Sequence, residues 1–349
     1  MHVLAVDVMS GDSGPDVVIH AVYNMLAKND DVKVILVGEK KSFSTLLSEN
    51  PRVEVENASD VVPMNELPSR AIRRRHSSMR RSVEMVAEGR AHVAVSAGNT
   101  GCLLGVSHIV LRSAKGVLRP AFASFIPSGK TDGSCMLDLG ANIECSAEML
   151  HQFALMGSAL VRSVKGINQP RVGLLNVGEE NFKGREELRK ASELLQNDKR
   201  VNFIGNIEGN DIYFGIADVV VCDGFTGNVV LKTTEGVAKM IRGIIADAFR
   251  QDWLSRLCGL AAMPVLSKLQ RTMDPRRYNG ACLLGLRGLV VKSHGNADVR
   301  SFEAALGYAI SAVRRNINGV IDEVSLPDTP PAAADEEISS LPLAKGNIT

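Results

Sequence analysis

Short runs of β-branched and other apolar residues alternate along the chain with longer stretches that repeat apolar positions at helical spacing. Strand-like runs occupy residues 3–7, 32–38, 53–56, 92–96 and 218–222. Most of them lead into a polar or Gly-rich segment and then into a helical pattern, a rhythm that favours parallel strands joined by right-handed crossovers. We therefore predict an α/β protein with a Rossmann-like open sheet and helices on both faces.

The pattern of strands and helices continues without an evident linker to about residue 324. This predicts a single α/β catalytic domain over residues 1–324. From residue 325 the sequence is dominated by Pro, Ala, Ser and acidic residues. Such a composition buries little apolar surface, so residues 325–349 are predicted to be a disordered tail that is dispensable for the chemistry.

Residues 253–273 differ from the rest of the chain, because apolar residues recur at helical spacing among basic ones. Pro264 divides this stretch into two short amphipathic pieces, as expected of a helical hairpin. One interpretation is a core or dimer-interface helix, and the other is a tip that contacts a membrane surface. In the second, the contacts are made by Leu257, Leu260, Met263, Val265 and Leu266.

Composition narrows the classes of function. The formal net charge is +1, so no overall positive field favours the binding of nucleic acid. Aromatic residues make up 4%, which argues against a surface that stacks bases. The six cysteines are scattered without a C-x-x-C pair, which argues against zinc and disulfides and fits a reducing compartment. The amino terminus does not resemble a signal peptide. No run approaches the ~20 apolar residues of a spanning helix, so membrane contact is expected to be peripheral.

The densest charge cluster lies at residues 70–81. A helix continuing to about residue 89 would place Arg70, Arg73, Arg74, Arg80 and Arg81 on one broad face. Such a face either is simply solvated, or docks an acidic partner or the phosphates of a carrier's prosthetic group.

Two Gly- and Asn-rich segments carry the strongest chemical signal. Residues 173–184 and 223–232 each follow a buried strand and lead into a helix, and residues 97–101 and 8–15 repeat the arrangement more weakly. Glycine lets the backbone approach a ligand, and the N–H groups at the start of a helix favour anions. None of these loops is a G-x-G-x-x-G or Walker A motif. They predict an anion site at the carboxyl ends of the strands.

As an ordered set, these loops resemble the bacterial phosphate acyltransferase family of phospholipid synthesis. The resemblance spans about residues 3–320, and the segments that carry it are 7–15, 96–101, 137–142, 173–184, 205–208, 223–228, 280–281 with 284–285, and 292–295. Four residues depart from the family's usual pattern: Val8, Ser10, Cys102 and Asn279.

The resemblance implies that a long-chain acyl thioester of acyl carrier protein reacts with inorganic phosphate, giving acyl phosphate and free carrier protein. It implies a fold like those of phosphotransacetylases and isocitrate dehydrogenases, and a homodimer with no metal or cofactor. It further implies a cytoplasmic protein that associates peripherally with an anionic membrane, at the inner face of the cell membrane. A membrane glycerol-3-phosphate acyltransferase would receive the product. Because acyl carrier protein is acidic, Arg70, Arg73, Arg74 and Arg80 gain a docking role.

By resemblance, Lys183 and Asn228 are the catalytic residues, with Lys183 binding phosphate or stabilising the oxyanion and Asn228 orienting the carbonyl. From the residues alone, the favoured interpretation of Lys183 is an exposed loop charge, and that of Asn228 is a helix cap. The polar groups expected to bind substrate are Asp7, Asp12, Ser96, Asn99, Thr100, Asn142, Asp223, Thr226 and His294. For Asp12 the alternative is a cap on the helix that follows, and for His294 a loop histidine whose hydrogen bonds are internal.

Three other functions compete with this one. A short-chain phosphotransacetylase that uses coenzyme A would differ in chain-length preference. An NAD-dependent dehydrogenase of similar fold is disfavoured because no dinucleotide-binding fingerprint is intact. A membrane-recruited scaffold would bind its partners without cleaving a thioester in the presence of phosphate.

Overall fold

A computed structural model describes residues 1–40, 50–129, 131–180, 182–272 and 279–323. Eleven strands form one sheet in the order β3-β2-β1-β4-β11-β10-β5-β6-β9-β7-β8. The strands are β1 His2–Asp7, β2 Val32–Gly38, β3 Val53–Asn57, β4 Val93–Ser96, β5 Ala121–Ser128, β6 Thr131–Leu137, β7 Arg171–Leu175, β8 Asn202–Ile207, β9 Val219–Val221, β10 Ala281–Leu284 and β11 Leu289–Lys292.

Helices cover both faces of this sheet, as the sequence predicts. The helices are α1 Pro15–Lys28, α2 Pro68–Ala71, α3 Ser78–Ala87, α4 Thr100–Leu111, α5 Ala147–Lys165, α6 Glu186–Asn197, α7 Asp211–Phe214, α8 Gly224–Ala248, α9 Trp253–Thr272, α10 Val299–Arg314 and α11 Ile317–Glu323. Successive side chains of a buried strand point to opposite faces of the sheet, so each face has its own apolar core. In β4, Val93 and Val95 belong to one apolar cluster and Ala94 to the other.

The sheet is mixed, and in this it differs from the parallel sheet that the sequence pattern favours. β1 to β4 and β11 are mutually parallel, and so are β6 to β9. Between these halves, β10 pairs antiparallel with β11 and β5, and β5 pairs antiparallel with β6. The two parallel halves therefore run in opposite directions.

The strand registers bring the carboxyl ends of the two halves to one level of the sheet. Lys292, the last residue of β11, lies opposite Ala281, the first residue of β10. Next along, Cys282 lies opposite Ala123 of β5, and Ala123 lies opposite Leu137, the last residue of β6. Loops that follow β4 and β11 therefore face loops that follow β6 and β9, with β5 and β10 between them.

The arginine-rich segment does not form the single helix that its spacing predicts. Helix α2 ends at Ala71 and α3 begins at Ser78, with turns between them. Ser77 caps α3, since its hydroxyl oxygen accepts a hydrogen bond from the Arg80 N–H at 3.3 Å. The prediction of one arginine face on a single helix was therefore wrong, because turns follow Ala71 and a new helix begins at the Ser77 cap.

Other helix boundaries also differ from the sequence prediction. α9 continues through Pro264, so the stretch is one helix rather than two pieces. A proline removes only one helical hydrogen bond and bends the helix without necessarily ending it. The last predicted helix is divided into α10 and α11 near Asn316, whose φ is 47°. The predicted tail and the end of the predicted domain at residue 324 lie outside the described residues.

Helix α8 begins at Gly224, five residues before the predicted start at Val229. Its first turn packs against the end of β6 so closely that Gly227 has no room for a side chain. A methyl group on Gly227 would lie 1.8 Å from the carbonyl oxygen of Asp138.

We predict that Gly227→Ala destabilises the fold by about 3 kcal/mol, because the obstructing atom belongs to the backbone and cannot move aside. Urea denaturation followed by circular dichroism measures the change. Gly236→Ala is the matched control in the same helix, because no atom lies within 4 Å of its added methyl group. The control should stabilise by about 0.5–1 kcal/mol. Equal effects of the two substitutions would contradict this description of the α8 packing.

Candidate active site

A cavity of about 260 Å³ lies where the loops of the two half-sheets meet. It is bordered by Thr100 in the first turn of α4, where free N–H groups favour anions, and by Asn228, Leu231 and Lys232 beyond the first turn of α8. The lining residues are Thr100, Phe122, Ser124, Leu139, Gly140, Asn228, Leu231, Lys232, Asn279, Gly280, Ala281, Lys292, Ser293 and His294. Of the predicted site residues, the structure thus brings Thr100, Asn228 and His294 together.

The loop after β6 is held by the buried carboxylate of Asp138. This carboxylate accepts hydrogen bonds from the backbone N–H groups of Phe122, Gly140, Ala141 and Asn142, and from the Asn142 side chain. Burial raises the pKa of Asp138, and the bonds from Ala141 and Asn142 offset part of that rise. Asn142, predicted to bind substrate, is therefore engaged in shaping the loop. Asp138 was not among the predicted residues, although its D-x-G-x-N context marks a turn.

Asp7 and Ser96 form a second buried unit that joins the ends of β1 and β4. The Ser96 hydroxyl donates to Asp7 Oδ2 at 2.6 Å, and Asp7 Oδ1 accepts from the N–H groups of Met9 and Ser10 at 3.3 Å each. Both side chains are fully buried and neither lines the cavity. In this structure their observed contacts fix the two loops. Ser10, a departure from the family pattern, fits because Gly11 takes the positive φ of this turn.

Asn99 and Asp223 set the first turns of the two helices that border the cavity. Asn99 Oδ1 accepts from the Cys102 N–H at 3.0 Å, and Asp223 Oδ1 accepts from the Thr226 N–H at 2.7 Å. Asp223 also accepts from the Arg185 guanidinium. The caps explain why α4 and α8 begin where they do. Thr100, immediately after the first cap, is the group that reaches the cavity.

Asn228 lies within the second turn of α8, so it is not the cap of that helix. Its side chain lies over Gly140, where an added methyl group would be 3.6 Å from Asn228 Cβ. No side-chain hydrogen bond of Asn228 to the described residues is present in the structure. Its amide therefore remains available to a ligand in the cavity.

Lys183 lies in the loop between β7 and α6 and is not a lining residue of the cavity. Its Nζ is 2.8 Å from Glu180 Oε2, and its side chain is 40% exposed. The hydrogen bond with Glu180 raises the pKa of Lys183. The side chain lies across Gly178, where a methyl group would be 2.5 Å from Lys183 Cδ. Its catalytic role stays a prediction.

His294 is held at the end of β11 by Asn279 and Glu235. The His294 N–H donates to Asn279 Oδ1 at 3.0 Å, and His294 Nε2 lies 3.2 Å from Glu235 Oε1. Burial of Glu235 opposes its ionisation, but the contacts with His294 and Lys232 outweigh burial and lower its pKa to about 2. The Asn279 amide also donates to Ser293 Oγ at 2.9 Å and to the Ser301 carbonyl at 2.7 Å. The sequence marked Asn279 only as a departure, and the structure shows what it holds.

Two lysines in the cavity were not predicted from the sequence. Lys292, the last residue of β11, donates to the Ser293 carbonyl, and Lys232 Nζ on α8 lies 3.1 Å from Glu235 Oε2. Burial lowers the pKa of Lys292 to about 8, the Lys232 charge acts in the same direction, and Asp12 opposes them. Asp12 itself is exposed, and it does not cap α1, whose cap residue is Gly14.

The four arginines of the predicted docking patch divide into two kinds. Arg74 is bound by Glu66 at 2.8 Å and Asp60 at 3.0 Å, and Arg80 is bound by Glu84 at 2.8 Å. Arg70 and Arg73 are exposed and form no ion pair with the described residues. Helix α2, which carries Arg70, packs on the first turns of α4 beside the cavity, with Pro68 near Gly101.

The long helix α8 and helix α9 carry an unusual number of exposed apolar side chains. On α9 the exposed fractions are 53% for Leu257, 68% for Leu260 and 54% for Met263, and Leu266 is partly exposed. On α8, Val237, Met240 and Ile244 are exposed at helical spacing. The side chain of Val265 lies outside the described part of the structure.

Three further features of the described residues delimit the site. A cavity of about 940 Å³ lies beside Pro170 and Asn202, at the amino-terminal edge of β7 and β8 and away from the strand ends described above. In the described ranges, no three His, Cys, Asp or Glu residues come together as metal ligands. None of the helices in those ranges is both long and apolar enough to cross a membrane.

The opposed half-sheets with a cavity between them define a protein of the phosphotransacetylase fold. A phosphotransacetylase from Streptococcus pyogenes superimposes with a TM-score of 0.60 over 90% of this chain and 94% of that chain, at 14% sequence identity. The predicted fold class is thereby confirmed.

Sequence comparison then gives the family. The family profile described as "Fatty acid synthesis protein" matches residues 2–319. A phosphate acyltransferase from Alcanivorax borkumensis is 49% identical over 327 residues, covering 92% of this chain and 96% of the relative. One from Coxiella burnetii is 46% identical over 327 residues, covering 92% and 95%. The chain belongs to the phosphate acyltransferase family of fatty acid and lipid synthesis, and it is an acyltransferase.

Proposed function

We propose that this protein transfers the acyl group of a long-chain acyl-[acyl carrier protein] to inorganic phosphate in phospholipid synthesis. A phosphate oxygen attacks the thioester carbonyl, the C–S bond breaks, and the carrier thiolate leaves and takes up a proton. The products are acyl phosphate and free acyl carrier protein. The observation that carries the proposal is the cavity between the half-sheets, which is lined by the Asn228 amide, His294 and two lysines. The 49% identity with a relative named phosphate acyltransferase supports the same reaction.

This reaction needs little covalent help from the protein. Phosphate dianion is a competent nucleophile and a thiolate is a good leaving group. The enzyme has to hold the two reactants together and stabilise the charge that develops on the carbonyl oxygen. The unpaired amide of Asn228 is suited to orient that carbonyl.

Lys183 is proposed to stabilise the oxyanion or to bind phosphate. In the structure its ammonium group is paired with Glu180 at 2.8 Å. The proposal therefore requires that the ion pair between Lys183 and Glu180 break when the thioester binds, so that the ammonium group can contact the substrate instead.

The direct test is thiol release from palmitoyl-acyl carrier protein with and without inorganic phosphate, while acyl phosphate is trapped with hydroxylamine. Release that depends on phosphate and yields a trapped product supports the proposal. A folded protein that binds carrier protein or vesicles without releasing thiol would instead be a scaffold. A preference for acetyl-coenzyme A as substrate would identify a short-chain phosphotransacetylase. Binding of NAD without thiol release would identify a dehydrogenase.

In the same assay, Lys183→Ala should lower turnover roughly 100- to 1000-fold, as expected for loss of one donor to a developing oxyanion. Asn228→Ala should have an effect of the same order. Lys190→Ala is the control, since this lysine is paired with Glu186 at the surface of the neighbouring helix α6. Near-normal turnover in a folded Lys183→Ala enzyme would refute its catalytic role.

We also propose that acyl carrier protein docks on the basic surface beside the cavity. The available charges are Arg70 and Arg73, because Arg74 and Arg80 already neutralise carboxylates of this chain. Arg74 and Arg80, predicted as docking residues, thus contribute mainly by shaping the segment that carries the other two.

Reversing both free charges, in Arg70→Glu with Arg73→Glu, should raise the KM for palmitoyl-acyl carrier protein roughly 10-fold at low salt. The KM for palmitoyl-pantetheine should not change, because it lacks the acidic carrier. Steady-state kinetics at two ionic strengths checks both expectations, and added salt should shrink the difference. Arg162→Glu, an exposed arginine beside the 940 Å³ cavity, is the control. An equal rise for both substrates would exclude a docking role.

The exposed apolar side chains of α8 and α9 support two further proposals. Those of α8 offer a surface to a second copy of the chain, giving a homodimer. Those of α9 are proposed to contact an anionic membrane, which would hold a cytoplasmic enzyme at the inner face of the cell membrane. There the acyl phosphate would pass to a membrane glycerol-3-phosphate acyltransferase.

Leu257→Glu combined with Met263→Glu should weaken binding to phosphatidylglycerol vesicles roughly 100-fold, because two apolar side chains no longer enter the bilayer. Sedimentation with vesicles measures this, and activity on acyl carrier protein without vesicles should be retained. Leu194→Glu on α6 is the control. If light scattering shows that the double variant has lost the dimer, the α9 surface belongs to the subunit interface instead.

A further inference from the structure

We infer that the inorganic phosphate substrate binds between Lys292 and Lys232, beside His294, in the cavity that Asn228 also lines. The inference rests on the proposed function and adds a location to it. It assigns the nucleophile to a subsite that Lys183 does not line.

The position of Lys292 is the first argument. It ends a central strand at the level where the two half-sheets meet, and its side chain lines the cavity. Its ammonium group donates to the Ser293 carbonyl and forms no ion pair within the described ranges. A cation that is partly removed from water without a carboxylate partner is unfavourable. An anion from solution would supply the missing partner.

The surroundings of Lys292 favour a doubly charged ligand. Lys232 reaches the same cavity from α8, with Glu235 Oε2 3.1 Å from its Nζ, and the charges of the two lysines repel each other. His294 lies beside them, and its ring is held by Glu235 at 3.2 Å. Of the two neighbouring charges that act on the pKa of Lys292, Lys232 lowers it and only Asp12 raises it. A dianion placed between the two ammonium groups removes their repulsion, which a neutral ligand cannot do.

The location also suits the reaction. Asn228 and the two lysines line one cavity of about 260 Å³, so a carbonyl held by Asn228 is adjacent to a phosphate held by Lys292. Lys183 lies in the loop after β7 and does not line this cavity, so the phosphate subsite is assigned to Lys292 and Lys232.

Lys292→Met is the principal test, with phosphate binding measured by calorimetry and the KM values measured by thiol release. We expect the Kd and KM for inorganic phosphate to rise roughly 10- to 150-fold, as for loss of a charged hydrogen bond. The KM for the carrier-bound thioester should stay within about twofold, which distinguishes inorganic phosphate from the phosphate of the carrier's prosthetic group. Lys33→Met, an exposed lysine in β2, is the control.

A purely structural role for Lys292 predicts a different result. Removing an unpaired, partly buried cation is expected to leave the urea midpoint unchanged or to raise it, because no partner is left uncompensated. If Lys292 mainly held the fold together, the midpoint would fall and both KM values would rise together. That result would overturn the inference.

The pH dependence provides an independent readout. Below a pH of about 8 Lys292 is protonated, and as the pH rises through that value it loses the charge that binds phosphate. The wild-type KM for phosphate should therefore rise above pH 8, where phosphate is already a dianion. Lys292→Arg keeps its charge throughout and should remove this rise. Lys232→Gln removes a neighbouring positive charge, so the rise should begin at higher pH even though phosphate binds more weakly.

Failure of the inference and failure of the proposed function give different results. Wild-type phosphate affinity retained in Lys292→Met, or a rise above pH 8 that persists in Lys292→Arg, overturns the inference alone, provided that thiol release remains phosphate-dependent. Wild-type protein that neither binds phosphate nor releases thiol overturns both. Phosphate binding that requires Lys292 in a protein without thiol release supports the subsite and overturns the proposed function.

Discussion

The three successive antiparallel pairings of β11 with β10, of β10 with β5 and of β5 with β6 are the constraint on which the rest of the structure depends. Together they reverse the direction of one half of the sheet and, through their registers, bring the carboxyl ends of both halves to one level. In an all-parallel sheet the loops after β11 and β6 would lie side by side along one edge. Here they face each other, and the cavity lies between them.

Buried polar groups keep these facing loops in position. Asp138 organises the loop after β6, Asp7 joins the ends of β1 and β4, and Asn279 fixes the turn that carries His294. Each of these side chains forms its hydrogen bonds with other groups of the protein, because an unsatisfied polar group in the interior is energetically unfavourable. In the cavity, the Asn228 amide has no hydrogen bond to the described residues, and Lys292 has no ion pair with them.

The same architecture separates the chemistry from the surfaces that would bring macromolecular partners to it. The short helix that carries Arg70 lies on the first turns of α4, at the border of the cavity. The exposed apolar residues lie farther along α8 and on α9, beyond the turn that contacts β6. An enzyme that takes its substrate from a carrier protein and hands an acyl phosphate to the membrane would need two such surfaces beside one cavity.

The sequence by itself determined the fold class, the positions of nearly all strands and the family, because buried strands and Gly-rich loops leave local patterns. It also placed Thr100, Asn228 and His294 among the candidate site residues. Only the tertiary structure decided that Asp7, Ser96 and Asn142 hold loops, since their partners lie far away in the chain or in the folded backbone. The break between α2 and α3, the continuity of α9 and the direction of the half-sheets also depended on packing. Lys292 could not be identified from the sequence for the same reason. A lysine at the end of a strand becomes a candidate only when the fold encloses it and places no carboxylate partner beside it among the described residues.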